Sequence, residues 1–228
     1  MRISSLLVAL LFAAVTFSLW ALINRPTEVV PWPEQISGFA FSPFRANQNG
    51  ILNIMPSTEE IREDVELLAG KARALRTYSS LRSLAEIPAI ADQHDLEITL
   101  GIWLGTDDET DQQEIEAGIA LANTYDNITR VMVGNETTLR GEFTVDEMAA
   151  MLERVKSQVS QPVSTAEPWH VWLSHPELAE HVDFLTVHML PYWEGIDVDL
   201  AEEYIVDKMK QLEAAFPDKP IQIGRAHV

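Results

Sequence analysis

Short apolar, β-branched segments alternate with amphipathic segments along most of the chain. This alternation is typical of parallel βαβ units, in which helices cover a parallel sheet. We predict seven strands, at Gly38–Phe41, Ala74–Tyr78, Ile98–Leu104, Arg130–Val133, Val163–Thr165, Phe184–His188 and Ile221–Ile223. The pattern therefore indicates an α/β fold.

Three of the intervening segments begin with the spacing of a helix capping box, in which a short polar residue is followed three positions later by glutamate. The pairs are Ser57 with Glu60, Asp111 with Glu114, and Thr144 with Glu147. We expect a helix to begin directly after the first residue of each pair.

The N-terminal segment differs from the rest because the twenty residues Ser4–Ile23 carry no charge. A helix of that length spans about 30 Å, the thickness of the hydrocarbon core of a membrane. Its bulky end, with Trp20 and Leu22, favours an uncleaved anchor over a signal peptide, which normally ends in small residues. A cleaved signal and a buried core helix remain as alternatives.

The charges that flank this segment suggest an orientation. Arg2 precedes it without an acidic neighbour, whereas Arg25 is accompanied by Glu28, so the positive-inside rule places the N-terminus in the cytoplasm. The rest of the chain would then face the periplasm or exterior of an inner (cell) membrane. We divide the chain into an anchor at residues 1–24, a proline-rich tether at 25–37 and a folded domain at 38–228.

Composition narrows the possible partners. The 228 residues contain 35 acidic against 16 basic side chains, a formal charge of -19 that repels the phosphates of nucleic acid. There is no cysteine, which excludes disulfides, thiolate metal sites and a thiol nucleophile. A neutral ligand such as a sugar fits this charge best.

Two architectures satisfy the alternation, a doubly wound sheet and a (β/α)8 TIM barrel. A dinucleotide-binding sheet should show a G-x-G-x-x-G turn after its first strand, and the sequence contains none. In a barrel the carboxyl ends of many strands meet at one mouth, where polar and aromatic residues should recur. The strand ends of this chain show that recurrence, as in Arg76-Thr77-Tyr78 and Glu167-Pro168-Trp169, so we predict the barrel.

The strongest candidate for chemistry is the apolar strand that ends in Asn135 and Glu136. At a barrel mouth, aromatic walls would desolvate the Glu136 carboxylate and raise its pKa towards the range of a general acid. Asn135 could orient a sugar hydroxyl. The alternative is that both residues merely cap the following turn.

The chain resembles glycoside hydrolase family 17, the β-1,3-glucan hydrolases and transglycosidases, over about Ser37–Gly224. The resemblance rests on Gly38-Phe39-Ala40-Phe41-Ser42-Pro43, Leu75-Arg76-Thr77-Tyr78-Ser79, Val133-Gly134-Asn135-Glu136, Val187 through Leu190-Pro191-Tyr192, and Pro220-Ile221-Gln222-Ile223-Gly224. It implies a TIM barrel, a retaining mechanism, Glu136 as the acid/base and a β-glucan as the partner. Membrane-anchored bacterial members look most similar, and the resemblance implies no cofactor.

Further residues are candidates for the walls of a sugar site. Arg76, Tyr78 and Tyr192 lie at strand ends, where ordinary packing is the alternative role. Four tryptophans could stack on sugar rings, and we expect about two of them to do so, the others being core: Trp103, Trp169, Trp172 and Trp193. The histidines show no tight metal-ligand spacing, so we predict no metal site.

One departure from the family concerns the nucleophile. A retaining glycosidase needs a second carboxylate about 5 to 5.5 Å from the acid. The resemblance places it after Gly224, where this chain has Arg225-Ala226-His227-Val228. We therefore expect a C-terminally truncated, incomplete barrel of about seven strands that is itself inactive. A noncatalytic glucan-binding barrel or a structural membrane-proximal domain are the alternatives.

Overall fold

The computed structural model describes residues 3–24, 31, 33–50 and 52–226. It comprises two compact units, residues 1–34 and residues 35–228, which are described separately. Most of the predicted tether, residues 25–30 and 32, lies outside the described residues, as do His227 and Val228.

Among the described residues of the first unit, Ile3–Ile23 form a helix, α1. The stretch Ser4–Ile23 has a mean hydropathy of 2.6, and all of it is exposed in the structure. By length and composition this helix is able to cross a membrane. A signal sequence has the same properties.

The second unit is built on seven parallel strands, which follow one another in the sheet in chain order. They are β1 (Ile36–Ala40), β2 (Ala72–Arg76), β3 (Glu97–Ile102), β4 (Ile128–Asn135), β5 (Val163–Pro168), β6 (Leu185–Met189) and β7 (Ile221–Ala226). A doubly wound sheet would reverse this order at its centre, whereas a barrel keeps it. The prediction of a barrel with seven strands is confirmed, and the first strand begins two residues earlier than expected.

The sheet curls into a nearly closed barrel. Each described ladder joins a strand to its successor, from β1 with β2 to β6 with β7. The Arg76 side chain at the end of β2 donates to the backbone oxygen of Gly224 in β7 at 3.3 Å. The first and last parts of the sheet therefore approach each other at the barrel mouth.

Six helices follow strands in this unit: α2 (Thr58–Leu68), α3 (Ile87–Asp92), α4 (Asp108–Ala122), α5 (Val145–Lys156), α6 (Trp169–Ser174) and α7 (Ala201–Ala215). Short 3₁₀ turns occupy Arg82–Glu86, Pro176–His181, Pro191–Glu194 and Val198–Leu200. The inner face of α5 shows why they form, because Met148, Leu152 and Val155 recur at helical spacing and are fully buried against the sheet.

Two of the three predicted helix starts are confirmed. Ser57 and Thr144 each form a complete capping box with the glutamate three positions later. The third prediction is wrong: the Asp107 side chain caps α4 by accepting from the backbone N–H of Thr110. Asp111 and Glu114 lie inside the helix on its buried face, and their spacing imitates a cap because residues three apart share one side of a helix.

Candidate active site

Glu136 directly follows β4 and is held in an unusual backbone conformation. Its φ is +57°, in the left-handed region that non-glycine residues rarely adopt, and Gly134 before it has a φ of +76°. The backbone N–H of Glu136 still donates to the oxygen of Ala166 in β5 at 2.7 Å. The chain therefore turns sharply while it stays tied to the neighbouring strand, and strained conformations of this kind concentrate at functional sites.

The Glu136 carboxylate contacts His188, a fully buried residue of β6. His188 Nδ1 lies 2.5 Å from Glu136 Oε1, and His188 Nε2 lies 3.0 Å from Arg76 Nη1. A guanidinium can only donate, so Nε2 must be the acceptor and Nδ1 carries the hydrogen. The imidazole is thus neutral and donates to the carboxylate.

Arg76 joins the ends of several strands. Its Nη2 donates to Asn135 Oδ1 at 2.8 Å, and its guanidinium lies 4.8 Å from the centre of the Tyr78 ring. With the contacts to His188 and Gly224, this one buried side chain reaches residues that follow or belong to β2, β4, β6 and β7. Arg76 therefore holds Asn135 and the imidazole in fixed positions beside Glu136.

The pKa of the Glu136 carboxyl is shifted in the direction opposite to the one predicted from the sequence. The hydrogen bond from His188 is the main cause that lowers the pKa of the Glu136 carboxyl below its ordinary value, and the Arg225 guanidinium, 3.5 Å from Oε1, acts in the same direction. Desolvation raises the pKa but is outweighed, because Glu136 is only partly buried. The predicted increase in the pKa of Glu136 is therefore wrong.

A second carboxylate, Glu167 of β5, lies fully buried beneath the turn that carries Glu136. It accepts from the backbone N–H of Thr138 at 2.8 Å and of Leu139 at 3.3 Å. Burial is the main cause that raises the pKa of Glu167. The sequence analysis places Glu167 and His188 at strand ends but assigns neither of them to the site.

Two cavities open at this end of the barrel, of about 400 and about 700 Å³. The smaller is lined by Glu136, Leu139, Pro168, His170, His188, Leu190, Trp193, Glu194 and Arg225. The larger is lined by residues that include Tyr78, Trp103, Glu114 and Asn135. Glu136 lines the smaller cavity, Asn135 lines the larger, and Arg225 lines both. No cluster of three His, Asp or Glu side chains within the described ranges is arranged to hold a metal ion.

The predicted aromatic walls are only partly assembled. Tyr78 and Trp103 line the larger cavity, and Trp193 lines the smaller. Trp169 packs partly against the core and donates its indole N–H to Glu194, and Tyr192 is largely exposed beside Trp193, so neither lines either cavity. Trp172 is fully buried and donates to the backbone oxygen of Thr186, as a core residue does.

The chain is similar in sequence to proteins of fungi. The chain is 28% identical over 189 residues to "Probable beta-glucosidase btgE" of Aspergillus flavus and covers 31% of that protein's length. It is 23% identical over 176 residues to the "Glucan 1,3-beta-glucosidase" of Arthroderma benhamiae and covers 57% of it. The chain therefore spans about a third to a little over half the length of these relatives.

Solved structures share the barrel. The glycoside hydrolase family 17 β-1,3-glucanosyltransferase of Rhizomucor miehei superimposes with a TM-score of 0.71 at 24% identity, over 82% of this chain and 70% of that one. The endo-laminarinase of Formosa gives 0.69 at 19% identity, over 84% and 65%. These likenesses establish the fold. The model of the BtgE/BtgC glycoside hydrolase domain matches residues 38–225, and with that match the chain is shown to belong to the BtgE/BtgC glycoside hydrolase domain family, in agreement with its resemblance to family 17.

Proposed function

We propose that residues 38–228 belong to a retaining glycoside hydrolase or transglycosidase for β-1,3-glucan, with Glu136 as the acid/base and with Arg225 at the position where the resemblance places the nucleophile. The observation that carries the proposal is the position of Glu136 directly after β4, in the lining of the smaller cavity, in a domain of a glycoside hydrolase family. Carboxylates at the carboxyl ends of barrel strands are where this fold carries its catalysis.

The contacts of Glu136 suggest how it acts. His188 and Arg225 both approach Oε1, so we assign the transferred proton to Oε2. A glucan that fills the cleft excludes water and disfavours the ionised carboxylate, which raises the pKa from its low unliganded value. In a retaining reaction Glu136 protonates the leaving glycosidic oxygen while a carboxylate nucleophile attacks the anomeric carbon and takes the glycosyl group. Glu136, once ionised, then accepts a proton from the water or acceptor sugar that releases the glycosyl group. In this chain Arg225, not a carboxylate, lies beside Glu136, so the proposal assigns only the acid/base part of this reaction to the described residues.

The proposed substrate-binding residues are Asn135, Tyr78 and Trp103, which line the larger cavity, and Trp193, which lines the smaller. Arg76 acts by holding Asn135. Trp169 and Tyr192, which line neither cavity, are proposed only as contacts for a glucan that extends beyond the two cavities. Aromatic rings suit the apolar faces of pyranose rings. Asn135, held by Arg76, presents an amide to a sugar hydroxyl. The acidic chain also favours a neutral glucan over a charged polymer.

A second candidate function is a noncatalytic glucan-binding barrel. It is favoured by Arg225, a cation 3.5 Å from Glu136 where a retaining enzyme needs a carboxylate nucleophile. A guanidinium there helps to keep Glu136 ionised and opposes the positive charge of an oxocarbenium-like transition state. We keep the enzyme as the first proposal because the family is one of glycoside hydrolases.

For location, we propose that residues 1–24 form an uncleaved anchor and residues 25–37 a tether, with the domain of residues 38–228 in the periplasm or at the exterior of the inner membrane. The length and hydropathy of Ser4–Ile23 support membrane insertion. The charge distribution around the segment supports the orientation.

Calorimetric titration of the chain with laminaritriose and cellotriose tests the proposed ligand. We expect laminaritriose to bind more tightly, and Trp103→Ala to weaken its binding by about fivefold or more as a stacking surface is lost. Trp20→Phe, in the N-terminal helix, is the control and should leave affinity unchanged. Absent laminaritriose binding, or binding that Trp103→Ala leaves intact, would refute the proposal.

A further inference from the structure

The inner face of α4 carries two buried carboxylates, Asp111 and Glu114, which are only 5% and 3% exposed. Acidic side chains are rarely buried to this extent unless several donors satisfy them. Gly118, on the same helix, explains the close approach: a Cβ there would lie 2.5 Å from Ile102 Cδ1, so the helix packs directly on β3. The carboxylates are thereby pressed against the ends of the strands.

Glu114 is satisfied by donors from two separate segments. It accepts from the Ser79 hydroxyl and from the backbone N–H of Ser80, at 2.7 Å, both of which follow β2. It also accepts from the backbone N–H of Trp103, at 3.3 Å, directly after β3. One carboxylate therefore ties together the segments that follow two neighbouring strands.

Those two segments carry the aromatic residues of the larger cavity. Tyr78 directly precedes Ser79, and Trp103 is itself a partner of Glu114. Asp111 supports the same arrangement by accepting from the backbone N–H of Gly105 at 2.8 Å. Glu114 also lines the larger cavity. The relative position of the Tyr78 and Trp103 rings thus depends on a side chain outside the strands.

Each ring also has a cation near it. The Arg76 guanidinium lies 4.8 Å from the centre of the Tyr78 ring, and the Arg140 guanidinium lies 5.1 Å from the centre of the Trp103 ring. A cation over one face of a ring leaves the opposite face as the surface on which a sugar can stack. A small shift of either segment would therefore change the position of its ring in the lining of the larger cavity.

We propose that Glu114 is a positioning residue, which fixes the relative position of the Tyr78 and Trp103 rings on which a sugar stacks. Glu114 would thereby determine the affinity for the glucan units in the larger cavity. This inference rests on the proposed glucan-binding function. The backbone N–H groups of Ser80 and Trp103 share Oε2, and the Ser79 hydroxyl contacts Oε1. Glutamine is nearly isosteric but removes the negative charge that strengthens these hydrogen bonds, and its amide nitrogen cannot accept from the Ser79 hydroxyl, so the hold on both segments weakens. Loss of one such hydrogen bond corresponds to about a fivefold change in an equilibrium.

The test compares Glu114→Gln with Glu116→Gln, an exposed residue of the same helix, in the full chain. We expect Glu114→Gln to weaken laminaritriose binding by about fivefold and Glu116→Gln to leave it unchanged. Trp103 fluorescence, obtained by difference from Trp103→Phe, reports ring position without a ligand. Quenching of Trp103 fluorescence by acrylamide should rise in Glu114→Gln and not in Glu116→Gln. Urea unfolding measures the stability of each variant separately. A variant that is less stable but still folded would not show increased quenching unless the Trp103 ring had moved.

The outcomes separate this inference from the proposed function. If the unsubstituted chain binds no laminaritriose but Trp103 quenching changes in Glu114→Gln, the proposed function fails and the positioning role stands. If Glu114→Gln folds and neither affinity nor quenching changes, the inference is wrong. Should Glu114→Gln fail to fold, Ser79→Ala removes one donor and leaves the carboxylate in place, and unchanged quenching and affinity in that variant would overturn the inference.

Discussion

His188 Nδ1 lies 2.5 Å from Glu136 Oε1, which joins the end of β6 to the residue after β4 across the barrel mouth. Arg76, 3.0 Å from the other ring nitrogen, determines that His188 donates and does not accept. The ionisation of Glu136 is thus governed by a buried neutral imidazole.

Replacing His188 with alanine should raise the pKa of the Glu136 carboxyl, because the hydrogen bond from His188 is the largest cause of its low value. The pKa is measured by carbon NMR titration of the glutamate carboxyls. His181→Ala is the control, since His181 pairs with Glu153 at the surface and not with Glu136. A Glu136 pKa that stays constant or falls in His188→Ala would show that the contact does not govern ionisation.

The buried Glu167 should give a distinctive pH dependence of stability. Burial raises the pKa of Glu167 in the folded state above its unfolded pKa of 4.5. The contribution of protonated Glu167 to the free energy of unfolding is therefore fully present below pH 4.5, and it is lost as the pH rises through the folded-state pKa. The difference in free energy of unfolding between the unsubstituted chain and Glu167→Gln should therefore fall as the pH rises. Urea unfolding at a series of pH values measures it, with the exposed Glu180→Gln as a control whose difference should stay flat. A difference that grows with pH is the contrary result.

Gly101 in β3 should not tolerate alanine. A Cβ there would lie 2.5 Å from Tyr78 Cα and closer still to the Thr77 oxygen, and neither backbone atom can move independently of β2. We expect Gly101→Ala to reduce the free energy of unfolding by about 1 to 3 kcal/mol. Gly105→Ala, whose Cβ would meet Trp103 Nε1 at an ordinary 3.6 Å, should stay within about 0.5 kcal/mol. Equal urea midpoints for the two variants would disprove the close approach.

Washing membranes with alkaline carbonate tests the proposed anchor. The apolar helix should keep the protein in the pellet, with its N-terminal residues intact by mass spectrometry. A soluble form that begins near Asn24 would show instead that the helix is a cleaved signal.

The order of strands and helices was predictable because apolar periodicity and turn chemistry are local properties. Asn135 and Glu136 could be proposed for the same reason, since an apolar strand that ends in a carboxyl is visible in the sequence. His188 was not predictable as the partner of Glu136, because the contact joins residues 52 positions apart. Periodicity does not reveal which side chains of different strands turn towards each other.

Glu114 and Glu136 show two further limits. The spacing of Asp111 and Glu114 satisfies a capping box, but it equally satisfies a buried helix face, and only the packing of α4 on β3 distinguishes the two. For Glu136, the sequence suggested desolvation by aromatic residues. The pKa of Glu136 is instead lowered by its contacts with His188 and Arg225, and these contacts depend on side-chain geometry that the sequence does not show.

The most direct test of the central claim is the turnover of laminari-oligosaccharides by the domain carrying Arg225→Glu and an added eighth βα unit, with and without Glu136→Gln. Glu180→Gln is the matched control. If Glu136 is the acid/base, Glu136→Gln should reduce turnover by about 10²- to 10⁴-fold while the control keeps it. Turnover that survives Glu136→Gln at the level of the control would contradict the assignment of Glu136.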